Sequence, residues 1–452
     1  MQIDVINPAT KRVVETLNRS NVEEVNDAVA TALQSFETWR QKTSEERGVV
    51  LHAIADGIEA SATELANLIV SEQGKPLPVA MMEVGGAVAW TRYNADLSQK
   101  PEVLEDSEER RVEVHRLPLG VVASITPWNW PLMIAIWHIM PALKAGNSVV
   151  VKPSSNTPLS TIKLVDIVCE VEPGLLGFVL GGKVAGEALV THPDVKKLVF
   201  TGSTPTGTHL ASLIAKDLKK VTLELGGNDA GIVLANADID KLASKIYMSA
   251  FINMGQTCAA LKRLYVHRSK YDALCNALVD MAKAEVVGNG MEEGVTFGPV
   301  QNKNQYDLVT SMIRQARDSG SEVIAPELPE GLDGYFIAPT IIKNPPLELS
   351  VVCDEQFGPV LPVIPYDDVK EVMKDAIHKE FALGGSVWGE ESDELDWVVE
   401  QLDSGTVWIN NHAEVLPHIP FGGNKLSGLG VEFGVEGFLE NTRRKVVSYS
   451  KK

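Results

Sequence analysis

The stretch Leu119-Gly-Val-Val-Ala-Ser-Ile-Thr126-Pro-Trp-Asn-Trp-Pro131 opens as an apolar, β-branched run and ends in a loop stiffened by proline and tryptophan. It reads as a buried strand feeding a loop. Working outward, residues 132–143 are very apolar at helical length, and Asn147-Ser-Val-Val-Val-Lys152 is a second strand ending in a charge. Leu176-Gly-Phe-Val-Leu180 and Lys197-Leu-Val-Phe200 supply two more strands, with helical patterns between them. Strands alternating with helices predict an α/β fold, a mostly parallel sheet with helices on both faces. Ligands in such folds sit beyond the carboxyl ends of the strands, where Asn129, Lys152 and Gly202 fall.

On the N-terminal side, a short extended segment with a turn at Asn7-Pro8 precedes three helices, from Asn21, about Ser44 and about Ala62. Asn21 with Glu24 three residues on is a capping signature. Gly74-Lys-Pro76 breaks the pattern, and an amphipathic segment follows to Asn94. Glu108-Glu-Arg-Arg-Val-Glu-Val-His-Arg116 alternates and is highly charged, as an exposed strand would be. On the C-terminal side, a hinge near Gly226-Gly227 leads into a second α/β set. It holds a strand at Ala230-Gly-Ile-Val-Leu234, a helix over 238–258, a strand at Arg263-Leu-Tyr-Val-His267, and strands near 321–324, 339–342 and 360–364. The tail Arg443-Arg-Lys-Val-Val-Ser-Tyr-Ser450 begins basic and turns strand-like, suited to pairing with another subunit's edge.

At 452 residues, 44% apolar and 22% charged, the chain is an ordinary globular composition with room for one to three domains. A net charge of −19 argues against nucleic acid or an anionic membrane surface as the main partner. Cys169, Cys258, Cys275 and Cys353 lie far apart with no C-x-x-C, so a reducing, cytoplasmic compartment is expected rather than a disulfide framework. No secretory pattern opens the chain, and no apolar run is long enough to span a membrane. The histidines show no metal-ligand spacing; His412 and His418 fall in a loop, where a surface or pocket-lining role is expected.

Two stretches carry chemistry. Phe251-Ile-Asn-Met-Gly-Gln-Thr-Cys258-Ala-Ala surrounds one cysteine with small residues that leave room for a substrate carbon at the sulfur. A lone cysteine is more often a small buried hydrophobe, but a thiol relieved of its proton is a strong nucleophile. Val221-Thr-Leu-Glu-Leu-Gly-Gly-Asn228 isolates Glu224 among apolar residues, as suits a base whose pKa burial has raised. The alternative for Glu224 is a structural ion pair.

The pairing of Leu223-Glu224-Leu225-Gly226-Gly227 with Gly255-Gln256-Thr257-Cys258 resembles the aldehyde dehydrogenase superfamily. So do Thr126-Pro127-Trp128-Asn129-Trp130-Pro131, Val151-Lys152-Pro153-Ser154, Phe200-Thr-Gly202-Ser203, Glu355-Gln-Phe357-Gly-Pro359 and Pro420-Phe-Gly-Gly423, all in the family's order. The resemblance runs from Ile6-Asn-Pro8 almost to the C-terminus. It implies a Rossmann-type cofactor domain over 1–99 and 120–226, and a catalytic domain over 227–425. It also implies a small β oligomerisation arm with a tail over 100–119 and 426–452, hence a homodimer or homotetramer.

The resemblance further implies that Cys258 attacks an aldehyde, that Asn129 stabilises the oxyanion, and that Glu224 activates the hydrolytic water. NAD or NADP would lie against Thr126, Pro127, Trp128, Ser154, Gly202, Ser203 and Leu225. Glu355 would hold the nicotinamide ribose, Lys152 the adenosine ribose, and Phe357 would pack near the nicotinamide. Phe200-Thr-Gly-Ser-Thr-Pro-Thr-Gly207 is neither G-x-G-x-x-G nor a Walker loop, and by itself reads as a helix cap. Ser155 stands where the family often has Glu; a neutral hydroxyl beside Lys152 removes the repulsion of a 2′-phosphate, so NADP is expected to be accepted. Trp130, Ile134, Trp137, His412 and Leu416 would line the aldehyde tunnel, favouring an apolar or aromatic aldehyde, with packed core as the alternative for either tryptophan. The absence of arginine from residues 408–420 weakens a carboxylated semialdehyde. Glu224 argues against a coenzyme A-acylating relative, and intact Asn129, Glu224 and Cys258 argue against a non-catalytic cofactor-binding protein.

Overall fold

The computed structural model describes residues 2–98 and 100–452. A hairpin, Gln2–Ile6 against Val13–Asn18, leads into four helices, Val22–Trp39, Ser44–Ala60, Ala62–Gln73 and Leu77–Asp96. The first two begin where the sequence supplies both halves of a capping box. The Asn21 and Thr43 side chains accept from the backbone N–H of Glu24 and Glu46, whose carboxylates accept in return from the cap N–H. Each such cap contributes about 1 kcal/mol.

The first sheet has the order Gly428–Leu429, Lys220–Glu224, Val195–Thr201, Val121–Ile125, Ser148–Lys152, Leu176–Phe178, and all but the Gly428–Leu429 pairing are parallel. Val121–Ile125 and Ser148–Lys152 are buried along their whole length, as parallel strands covered on both faces must be. Val121, Ala123 and Ile125 pack with Val25, Val29, Leu189 and Leu210 on one face. Val122 packs on the other, with Leu132, Ile136 and Leu164 of the helices Pro131–Lys144 and Leu159–Val171. From Val121–Ile125 the chain winds outward to Ser148–Lys152 and Leu176–Phe178. It then crosses to the other side for Val195–Thr201 and Lys220–Glu224. Winding therefore reverses between Val121–Ile125 and Val195–Thr201, and a crevice opens at their carboxyl ends.

The second sheet follows the link at residues 225–229. Its order is Glu322–Ile324, Thr340–Lys343, Val360–Tyr366, Arg263–His267, Ala230–Val233, Gly384–Trp388, Thr406–Ile409, parallel except at the Glu322–Ile324 edge. A third sheet pairs Arg110–Pro118 with Glu102–Asp106 on one side and Thr442–Ser450 on the other, all antiparallel. Among the described residues no helix is long and apolar enough to cross a membrane.

Two expectations are revised. The helix expected over 238–258 spans Ile239–Phe251 and stops short of the cysteine. Asn253, Met254 and Gly255 follow with φ of 52°, 55° and 70°, three consecutive left-handed residues that end any helix. A Cβ at Gly255 would sit 2.3 Å from the Gly358 carbonyl oxygen, so the close approach there requires glycine. The stretch 426–452, expected as one arm-and-tail unit, is divided. Gly428–Leu429 returns to the first sheet beside Leu223–Glu224, the helix Gly434–Leu439 follows, and Thr442–Ser450 alone joins the third sheet.

Candidate active site

The crevice at the winding reversal is a cavity of about 250 Å³. Pro127, Trp128 and Asn129 leave the end of Val121–Ile125; Gly202 and Ser203 leave Val195–Thr201; Leu225 and Gly226 leave Lys220–Glu224. Cys258, Glu355 and Phe357 close it from the second sheet's side. Trp128 and Phe357 meet edge to face at 5.2 Å, an apolar wall, and Phe357 is held at φ 49°, an uncommon conformation for a residue with a side chain. Glu355 accepts from the Gly227 N–H at 3.1 Å, and a Cβ at Gly226 would lie 2.5 Å from its other oxygen. Burial raises its pKa, opposed by Lys262.

Lys152 ends its strand with the ammonium donating to the Pro153 and Gly181 carbonyls, both at 3.1 Å, and burial lowers its pKa to about 8. Its third N–H is left for another acceptor. The Thr126 hydroxyl is buried and has no hydrogen-bond partner among the described residues. Ser154 Oγ accepts from the Asn156 N–H at 3.2 Å, and Ser155 is half-buried beside it. An elongated ligand bearing ribose hydroxyls fits this set. It finds a cation with a spare donor, an orphaned hydroxyl, a carboxylate against a side-chain-free glycine, and an aromatic wall.

At the inner end, Asn129 is 2% exposed and fixed from both sides. Its Nδ2 donates to the Gln256 carbonyl at 2.9 Å, and its own carbonyl accepts from Lys75 Nζ at 2.9 Å and Asn253 Nδ2 at 2.8 Å. The left-handed Asn253 that ends the helix is thus what ties the cysteine's turn to Asn129. One Nδ2 hydrogen remains for a ligand oxygen. Thr257, next to the cysteine, accepts from Trp130 Nε1 at 2.9 Å. Lys262 Nζ donates to the Thr257 and Cys258 carbonyls at 2.8 and 2.6 Å. The Cys258 thiol is pushed up to about 12 by burial; Glu224, Glu355 and Asp229 add to the rise, and Lys262 opposes it. Such a thiol waits for a base rather than resting as thiolate.

Glu224 is 3% exposed, and among the described residues neither of its carboxylate oxygens has a hydrogen-bond partner. Its pKa is raised well above the usual carboxylate value by burial and then by Glu432. Glu432 is itself raised to about 7 by burial, against the pull of Lys197. Its Oε1 lies 3.3 Å from His138 Nε2. His138 is wedged between Ser124 Oγ at 2.9 Å and Thr201 Oγ at 2.8 Å, its pKa lowered to about 3 by burial and Lys197. Glu432 bears the same signal as Glu224, one acid between Val431 and Phe433 in a glycine-rich run, yet the motif reading passes over it. Lys75 and Lys262 bear none.

The residues expected around an aldehyde are spread out. Trp130 reaches Thr257, with Lys75 Nζ 3.6 Å from its ring centre. Trp137 packs on Phe433 at 4.8 Å and on Trp90 at 5.9 Å, with Phe421 behind Phe433 at 6.0 Å. Leu416 is half-buried in the turn closed by the Ile419 N–H. Ile134 is 1% exposed within the helical core. His412 is buried between Ser386 Oγ at 2.8 Å and Asp229 at 3.5 Å. None of Trp130, Ile134, Trp137, His412 and Leu416 is on the wall of the cavity that holds Cys258.

Residues 1–447 match the model of the aldehyde dehydrogenase family. The chain is 38% identical to a phenylacetaldehyde dehydrogenase of Pseudomonas fluorescens, with 99% of this chain and 93% of that protein covered. Its fold matches an E. coli NADP-dependent enzyme with a TM-score of 0.96 at 33% identity, covering 100% and 95% of the two chains. It matches the NAD+ complex of an aldehyde dehydrogenase from Bacillus cereus with a TM-score of 0.95 at 34% identity, covering 100% and 94%.

Proposed function

The chain belongs to the aldehyde dehydrogenase family, and from that premise we propose that it oxidises an apolar or aromatic aldehyde to the carboxylic acid with NAD or NADP. The observation that carries the reading is that Cys258 and Asn129 share one cavity with Glu355 and Phe357.

The thiol of Cys258 passes its proton to solvent through the cavity it lines, and the sulfur's electron pair bonds to the aldehyde carbon as the carbonyl π bond opens, giving a thiohemiacetal oxyanion. The free Nδ2 hydrogen of Asn129 and the Cys258 backbone N–H donate to the oxyanion; each donor of this kind lowers the barrier by about 2.7–4 kcal/mol. The nicotinamide, when bound, supplies the hydride acceptor. The acyl group is then a thioester on Cys258. Glu224, its oxygens unpaired, takes a proton from water; the hydroxyl adds to the acyl carbon, the carbon–sulfur bond breaks, and the acid leaves. Lys152 and Glu355 would hold the two riboses, and Thr126, Ser154, Gly202, Ser203 and Leu225 would line the cofactor's path.

The rings of Trp90, Trp137, Phe421 and Phe433 belong to the apolar cluster against which Cys258 packs; this supports an aromatic or apolar substrate, and the likeness to a phenylacetaldehyde dehydrogenase agrees. A carboxylated semialdehyde is disfavoured, since residues 408–420 hold no arginine and His412 is already engaged. The assembly is a homodimer or homotetramer built on the third sheet. The four free cysteines suit a reducing cytoplasm. The test is reduced-nicotinamide formation with aromatic, aliphatic and carboxylated aldehydes, each with NAD and NADP, without coenzyme A. Fastest turnover on an aromatic or apolar aldehyde is expected. Preference for a carboxylated one overturns the substrate class, and turnover that needs coenzyme A overturns the hydrolytic mechanism.

A further inference from the structure

Every acid that acts on Cys258 raises its pKa. Glu224, Glu355 and Asp229 act on it, and Glu432 acts in turn on Glu224. Among the described residues Lys262 acts in the other direction. It lies four residues beyond the cysteine and is 3% exposed. Its ammonium donates to the Thr257 and Cys258 carbonyls at 2.8 and 2.6 Å, and sits 3.6 Å from Glu355 Oε1. Its backbone N–H donates to the Asp229 carbonyl at 3.0 Å. A single residue thus ties together the nucleophile's turn and the carboxylate facing the cofactor cavity by its side chain, and the link between the two sheets by its backbone.

We propose that Lys262 is a positioning residue for the nucleophile: its buried ammonium pins the turn carrying Cys258 by two carbonyls and stabilises the thiolate that forms there against the surrounding carboxylates. The inference rests on Cys258 being the nucleophile. A charge in a water-poor site acts at longer range than in water, so Lys262 reaches the sulfur without touching it. Glu355 competes for the same charge.

The test reads the thiol directly. The rate of Cys258 alkylation by iodoacetamide is followed against pH, with the adduct located by peptide mass spectrometry. Lys262→Gln keeps a donor for the two carbonyls and removes the charge. Its alkylation profile moves alkaline by about one pH unit, tenfold less thiolate at a given pH. Lys262→Arg keeps the charge and stays near the wild-type profile. Glu355→Gln, which frees Lys262 from its competitor, moves the profile acid, and it serves as the second reading should the Gln variant at 262 not fold. An unmoved profile in folded Lys262→Gln overturns the proposal. So do equal shifts in the Gln and Arg variants, which would mark packing rather than charge, and so does a Glu355→Gln profile that stays put. Alkylation needs no turnover. Turnover retained by Cys258→Ala would instead sink the proposed mechanism, independently of Lys262.

Discussion

Glu224 presents two unpaired oxygens with Glu432 at its back, and that arrangement fixes when it works as a base. A base acts when deprotonated, so turnover limited by thioester hydrolysis rises with pH through the raised pKa of Glu224. Glu432→Gln removes a like charge, which lowers that pKa; the acid limb of the kcat profile is expected to move to lower pH. A profile that does not move would mean that the two carboxylates are electrostatically independent. Glu224→Gln is expected to cut steady-state kcat by roughly 10²–10⁴-fold while leaving a first-turnover burst of reduced cofactor, because the acyl group then stays on Cys258. Loss of the burst along with the steady state would show Glu224 acting before hydride transfer. Ser155 decides a different choice. A carboxylate placed beside Lys152 would repel a 2′-phosphate, so Ser155→Glu is expected to lower kcat/KM with NADP about tenfold relative to NAD, equivalent to about 1.4 kcal/mol. Equal loss with both cofactors would argue against discrimination at this position. Cys258 and Glu224 are legible in the sequence because a reactive group isolated among small or apolar residues makes a poor surface. Lys262 is not, since nothing in its local sequence marks it until residues 229 and 257–258 close around it.

Among elements, the site depends on one buried ion pair. Lys75 Nζ meets Glu83 Oε2 at 2.6 Å with both side chains fully buried, and the other Glu83 oxygen accepts from the Leu132 and Met133 N–H groups at 3.0 and 3.1 Å. The pair therefore joins Leu77–Asp96 to the amino end of Pro131–Lys144, and through the Asn129 carbonyl to the loop between strand and helix. Removing one partner leaves the other charge buried without compensation. Glu83→Leu alone or Lys75→Met alone is expected to cost about 3–5 kcal/mol in urea unfolding, and the double variant less than the sum. Additive losses would show that the two charges do not stabilise each other. Lys75→Met should also lower kcat more than it raises KM, since it frees the Asn129 carbonyl. In sequence, Gly74-Lys-Pro76 is visible as a break and Glu83 as one more helical charge. What joins them is the packing of Leu77–Asp96 on Pro131–Lys144, which no local pattern encodes. The break after Phe251 is hidden for the same reason, because the Asn253 conformation is held by contacts with residue 129, more than a hundred positions away.

At the scale of the whole molecule, the two parallel sheets are legible because each alternates buried strands with amphipathic helices over a long stretch. The return of Gly428–Leu429 to the first sheet is not, since a two-residue strand carries no period. The third sheet poses a question of its own. Its outer strands expose Val103 and Leu104 at 47% and 59%, and Val446 and Tyr449 at 57% and 48%. Thr442–Ser450 is an edge with one side unpaired in the sheet, and long apolar edges recruit partners. It begins with Arg443, Arg444 and Lys445 on a chain whose net charge is −19. A basic, partly apolar edge on an acidic body is complementary to the body of a second copy. Sedimentation equilibrium is expected to give a homodimer or homotetramer. Val446→Lys with Tyr449→Lys should yield a smaller species with an unchanged circular dichroism spectrum, because those side chains support no core within their own chain. A wild-type monomer at micromolar concentration would leave the edge without that role, and an assembly untouched by the two substitutions would move the interface elsewhere on the surface.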